Sequence, residues 1–112
     1  MEIKGEILAV DVDDTLVYWC NPPEGAPVKE VEWKGYVYQY NPKVHLQITR
    51  HIARGHTVMI WSAGGQEWAQ KVASMLGLKS NVITMSKPKW AIDDLPNPLA
   101  QTRIYHPDDI KE

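Results

Sequence analysis

The patterned part of the chain begins with Ile7-Leu8-Ala9-Val10, an unbroken apolar run that ends on three carboxylates within four positions, Asp11, Asp13 and Asp14, with Thr15 directly behind. A run without alternation predicts a strand buried on both faces, as in parallel sheets. Residues 20–30 carry three prolines and a glycine, so a loop is expected there. In 31–40, Val31, Trp33, Tyr36, Tyr38 and Tyr40 fall near alternation and Lys34-Gly35 supplies a turn, which predicts a small hairpin. Asn41-Pro42 then offers an N-cap with proline at the first helical position. Val44, Ile48 and Ile52 follow at four-residue spacing, with Gly55 as the stop, so a helix is expected. Thr57–Trp61 reads as a second buried strand leading into Ser62-Ala63-Gly64-Gly65. Trp68, Val72 and Leu76, with Gly77 behind them, predict a second helix over 66–76. Short apolar pieces at 82–85, 90–92 and 102–105 bring the expected strand count to about five.

Strands alternating with helices predict an α/β fold whose mostly parallel sheet presents ligands at the carboxyl ends of its strands. The hairpin at 31–40 would be a flap on that frame. With 112 residues, 44% of them hydrophobic, residues 1–112 are expected to form one domain with a modest core. Lys and Arg number 12 against 14 Asp and Glu, giving a net charge of −2; this lacks the basic excess of a dedicated nucleic-acid binder. Cys20, the one cysteine, has no partner for an internal disulfide, and no apolar run reaches the length of a signal peptide or membrane span. A soluble, cytoplasmic protein without a membrane partner is expected. His45, His51 and His56 lack metal-ligand spacing and are expected to be surface or structural, and His106 a loop residue.

Polar residues fall where a site belongs on such a frame. Asp11 and Asp13 follow the first strand, Ser62 follows the second, and Asp93-Asp94 follow the expected strand Trp90-Ala91-Ile92, with Lys87 just before it. Four carboxylates (Asp11, Asp13, Asp93 and Asp94) converging at one sheet edge would repel unless a hard cation sat between them, and Mg²⁺ takes such oxygen ligands. Ser62 and Lys87, a hydroxyl donor and a fixed positive charge, suit an anion beside it, such as a phosphoryl group.

These residues carry a resemblance. Asp11-Val12-Asp13-Asp14-Thr15 resembles motif I, DxDx[TV], of the haloacid dehalogenase-like (HAD) superfamily. Thr57–Gly65 is similar to its motif II, Ser86-Lys87-Pro88 to its motif III, and Ala91–Asp94 to its motif IV, all in the family's order. The resemblance implies a Rossmann-like three-layer α/β/α fold and a Mg²⁺-dependent phosphohydrolase that acts on a phosphate monoester through an aspartyl-phosphate. Asp11 would be the nucleophile and Asp13 the general acid and then base. The Asp11 carboxylate, the Asp13 carbonyl and Asp93 would hold the metal, with Asp94 direct or through water. Ser62 and the amides near Ala63 and Gly64 would bind phosphoryl oxygens, and Lys87 would add positive charge. Lys89 is the alternative motif III residue, because the spacing from Lys87 to Asp93 is short. Thr15 would brace the loop. Asp14 stands where the family commonly has Gly or Glu, and is expected to point away from the metal.

The roughly 26 residues between Asp14 and Asn41 are too few for a cap domain, since compact domains need about 50. An uncapped site is open. It would take the phosphorylated end of a macromolecule, or a phosphorylated small molecule enclosed by a second subunit of a homo-oligomer. The flap aromatics Trp33, Tyr36, Tyr38 and Tyr40 would either pack as an edge ribbon or touch a substrate ring. Two competing readings are a receiver-like phospho-signalling module and a non-catalytic HAD-like binding domain. In a receiver the acidic pair comes early and the lysine last, whereas here Asp93-Asp94 follow Lys87. The presence of both Asp11 and Asp13 argues against a silent relative.

Overall fold

The computed structural model describes residues 6–18, 30–97 and 104–110. Along the chain the elements are β1 (Ile7–Asp11), β2 (Val17–Tyr18), β3 (Glu30–Trp33), β4 (Tyr36–Tyr40), α1 (Pro42–Ala53), β5 (Thr57–Ser62), α2 (Gln66–Met75) and β6 (Val82–Ser86), then a 3₁₀ turn at Pro107–Asp109. The unbroken apolar runs form a parallel sheet in the order β1-β5-β6. Its register pairs Ile7 with Thr57 through Asp11 with Trp61, and Val58 with Val82 through Ser62 with Ser86. Parallel neighbours need long crossovers, and the two helices lie on them.

Local chemistry explains where each helix starts and stops. The Asn41 side chain accepts a hydrogen bond from the Lys43 amide at 3.1 Å, and Pro42 occupies the first turn, where no intrahelical partner for an N–H exists. Both helices end in the same way. Gly55 and Gly77 have φ of 85° and 72°, and the amides of His56 and Leu78 reach back to the carbonyls of His51 and Ala73 at 3.0 and 2.9 Å. This is the glycine-terminated cap that satisfies the last carbonyls. Val44 and Ile48 of α1 and Trp68, Ala69, Val72 and Ala73 of α2 are buried. They join Val58 and Ile60 of the central strand in one hydrophobic cluster.

The hairpin forms as expected. Lys34 and Gly35, with φ of 50° and 83°, make the two-residue turn between β3 and β4 whose positive φ at both positions matches strand twist. β2 pairs with the other side of β4, giving a separate antiparallel sheet in the order β2-β4-β3.

Two expectations about the sheet are corrected. The parallel sheet has three strands among the described residues, not about five, and residues 90–92 form no strand. Trp90-Ala91-Ile92 is too short an apolar piece to hold itself between Pro88 and the Asp93 turn, and Trp90 is 93% exposed. Residues 104–105 are likewise outside any strand, while 102–103 lie outside the described residues, as does Cys20. The observed architecture is α/β, with a parallel three-stranded sheet and two helices. Among the described residues, no helix is long and apolar enough to cross a membrane.

The histidines near the start of the sheet are structural. His56 Nδ1 accepts the Glu6 amide at 3.0 Å, and the His51 and His56 rings lie 5.7 Å apart. Burial and then the neighbouring His56 push the His51 pKa down. A depressed folded pKa means that the contribution of this imidazole is complete above its ordinary value of about 6.5 and is lost as pH falls through the folded value. Thermal unfolding should therefore show a lower midpoint at pH 5 than at pH 7.5, and His51→Gln should narrow that gap by a small margin, the ring being largely solvated; an unchanged gap would remove His51 from the acid sensitivity. Ile60→Ala, at the fully buried centre of β5, should cost about 2–5 kcal/mol in urea unfolding. A loss below about 1 kcal/mol would contradict the packing described.

Candidate functional site

Just past β1 the chain folds on itself around one carbonyl. The Val12 oxygen accepts the amides of Thr15, Leu16 and Val17 at 3.3, 3.0 and 3.0 Å, while the Val12 and Leu16 side chains are fully buried. Those two anchors fix the loop. Asp14 takes the left-handed conformation, with φ of 57°, and is exposed. Asp11 and Asp13, on either side of inward-facing Val12, remain half-buried at the strand end.

Three parallel strands ending together bring the other groups to them. Lys87 Nζ lies 3.0 Å from Asp11 Oδ1, and the Thr15 hydroxyl donates to Asp11 Oδ2 at 3.3 Å. Lys87 arrives there because β6 runs in register beside β5, so that the residue after Ser86 donates its amide to the Ser62 carbonyl at 2.9 Å. Ser62 is fully buried. Its hydroxyl donates to Asp13 Oδ2 at 3.1 Å and accepts the Gly64 amide at 2.9 Å. Gly64 has no side chain for a reason: a Cβ there would stand 3.2 Å from Ser62 Oγ and 3.4 Å from Trp68 Cδ1, closer than packed atoms settle comfortably. Asp11 is therefore held at both oxygens, and the Lys87–Asp11 pair is about a third exposed on each side, at 37% and 32%.

Asp11, Asp13, Ser62, Gly64 and Lys87 come together at the ends of β1, β5 and β6. Lys87 is the lysine that reaches Asp11, and Lys89 lies on the exposed segment beyond it. Thr15 braces the nucleophile candidate directly. The Gly64 amide, expected to face a phosphoryl oxygen, is engaged by Ser62, and Ala63 beside it is exposed. Asp93 and Asp94 are not brought in. Both are exposed on a segment without helix or strand, and Asp93 Oδ1 accepts the Leu95 amide at 2.9 Å, a local turn that Asp commonly closes. Among the described residues no three His, Cys, Asp or Glu side chains are grouped to share a metal ion. The set Asp11, Asp13, Asp93 and Asp94 is therefore not assembled as a ligand cage. Two carboxylates stand in its place, and Lys87 supplies the local positive charge.

Sequence reasoning assigned Trp68 to the core and overlooked its polar edge. Its Nε1 donates to Asp13 Oδ1 at 2.8 Å. The signal was available, since a buried tryptophan usually needs a partner for its N–H and this one begins the helix behind the second strand. Trp68 also packs on the flap, with its ring centroid 5.6 Å from Trp33 and 5.1 Å from Tyr38. A cavity of about 240 Å³ opens beside Asp13 and Gly64, walled by Trp33, Tyr36, Tyr38 and Trp68. The flap aromatics thus border the site.

Comparison with known proteins adds no relative: no family model, curated protein or solved structure matches the chain.

Ser62→Ala tests the network directly. It leaves the Gly64 amide without its acceptor and Asp13 without one donor, and should lower stability by about 1–3 kcal/mol in urea unfolding. A change under about 0.5 kcal/mol would show that the hydroxyl is replaceable there.

Proposed function

We propose that this protein is a phosphohydrolase of the HAD-like kind, cleaving a phosphate monoester through an aspartyl-phosphate on Asp11. One observation carries the reading: a carboxylate with a lysine 3.0 Å away stands beside a second carboxylate held by a serine hydroxyl and an indole N–H. Two acidic groups next to each other, one balanced by a fixed cation and the other oriented by neutral donors, suit two different roles. A three-layer Rossmann-like frame is what the motif resemblance implies, and a cytoplasmic setting is what the lone Cys20 implies.

Chemically, an Asp11 oxygen attacks phosphorus and the bond from phosphorus to the ester oxygen breaks. Asp13, protonated, gives its proton to the departing alkoxide. Asp13 then takes a proton from water, the resulting hydroxide attacks the phosphorus of the aspartyl-phosphate, and phosphate leaves as the Asp11 carboxylate is restored. Lys87 lies where it can neutralise charge on both Asp11 and the transferring group, which would otherwise repel each other. Ser62 keeps Asp13 oriented through both steps. The described carboxylates do not make the expected Mg²⁺ cage, so the metal requirement rests on the motifs and enters as an arm of the assay.

Hydrolysis of p-nitrophenyl phosphate should be measured with Mg²⁺, with EDTA, and with two variants. Turnover should fall about a thousandfold or more in Asp11→Asn and about 10²–10⁴-fold in Asp13→Asn. Loss in EDTA would support the metal requirement. Near-normal turnover in Asp11→Asn would overturn the nucleophile assignment, and no turnover with any phosphate ester would favour the binding-module reading.

A further inference from the structure

The cavity beside Asp13 points to a substrate class. Tyr38 and Trp68 are 6% and 3% exposed and form its fixed part, whereas Tyr36, just past the hairpin turn, is 68% exposed. Trp33 and Trp68 lie 5.6 Å apart at 34° and Tyr38 and Trp68 5.1 Å apart at 57°. At those separations the rings pack on one another and leave no slot for a further ring between them. Ring surface facing the cavity is what a ligand can use. Lys34 adds a cation 5.4 Å from the Trp33 ring centre, and Asp13 and Gly64 line the same space. Aromatic walls with one cation and a few polar groups suit a planar heteroaromatic ring, which stacks in any orientation its edges allow.

Trp68 links the two ends. Its N–H is bonded to Asp13 and its ring packs on Trp33, so one side chain both orients the carboxylate and backs the flap ring. A nucleoside phosphate carries both parts on one molecule, a ring for the aromatic walls and an ester for the carboxylates. A volume of about 240 Å³ lies just below the ~300 Å³ lower end for small-molecule sites, which suits one ring system and not a longer chain.

We propose that the cavity binds the base of a nucleoside monophosphate, with Trp33 and Tyr36 as its stacking walls and the phosphate at Asp11 and Lys87. The phosphate end of this proposal rests on the phosphohydrolase reading; the ring end rests on the cavity.

The test is calorimetric titration of the Asp11→Asn protein with AMP and with ribose 5-phosphate, so that hydrolysis does not consume the ester. It is paired with hydrolysis of both esters and of p-nitrophenyl phosphate by the unaltered protein. AMP should bind about tenfold or more tightly than ribose 5-phosphate, and adding Tyr36→Ala should bring that ratio to within about threefold. Trp33→Leu is the second variant and should lower the ratio as well. Equal affinity for the two esters, no detectable AMP binding, or a ratio unmoved by both variants would overturn the proposal. The two readings fail separately. Asp11-dependent hydrolysis with no preference for the base would leave the phosphohydrolase standing without this pocket. Ring-selective binding without hydrolysis of any ester would leave the pocket and remove the enzyme.

Discussion

The buried hydroxyl of Ser62 donates to Asp13 while accepting the Gly64 amide, and the carbonyl of the same residue accepts the amides of Lys87 and Gly65. One residue thus ties the loop after β1, the end of β5, the segment leaving β6 and the entry to α2. Because it is fully buried, water cannot stand in for any of these partners without opening the core, and an unmet buried polar group is costly. The site's geometry is therefore a by-product of satisfying a strand end. Val12 and Leu16 contribute the complementary constraint, since their burial forces the loop to present Asp11 and Asp13 outside the core.

Electrostatics then follow from position. Asp11 is balanced by Lys87 in a setting about a third exposed, where a charge pair is neither dissolved by water nor trapped by a dry interior. Such a pair can be parted at modest cost. At Asp13 a hydroxyl and an indole N–H hold the two oxygens. Neutral donors orient a carboxylate, whereas a lysine also offsets its charge. That difference between neighbours two residues apart is the chemical content of the site.

Much of this was legible in the sequence. Asn41-Pro42 and Gly55 bound α1 as their conformational preferences require, Lys34-Gly35 makes the hairpin turn, and the apolar runs ending at Val10 and Trp61 are adjacent parallel strands. The convergence of Asp11, Asp13, Ser62 and Lys87 follows from strand ends alone. Residues 90–94 were misread because a three-residue apolar piece carries no information about whether a neighbouring strand is there to receive it, and Asp93 found a nearer partner in the Leu95 amide. Trp68 is in the core as its spacing predicts, but its bond to Asp13 was not legible there. Periodicity reports which face a side chain occupies, and is blind to a polar atom on the rim of a largely apolar ring.

The pairing of Ser62 with Ser86 has a further consequence for how the chain can vary. Side chains alternate along a strand, so the residue that follows Ser86 faces Asp11 only because an odd or even count has been kept since Val82. Length changes in the turn at 77–81 are absorbed before the count starts. A single residue gained or lost within Val82–Ser86 would carry the ammonium to the opposite side of the sheet with every local hydrogen bond still available. The position of the positive charge is thus encoded as a parity, guarded by five residues that never touch the carboxylate themselves.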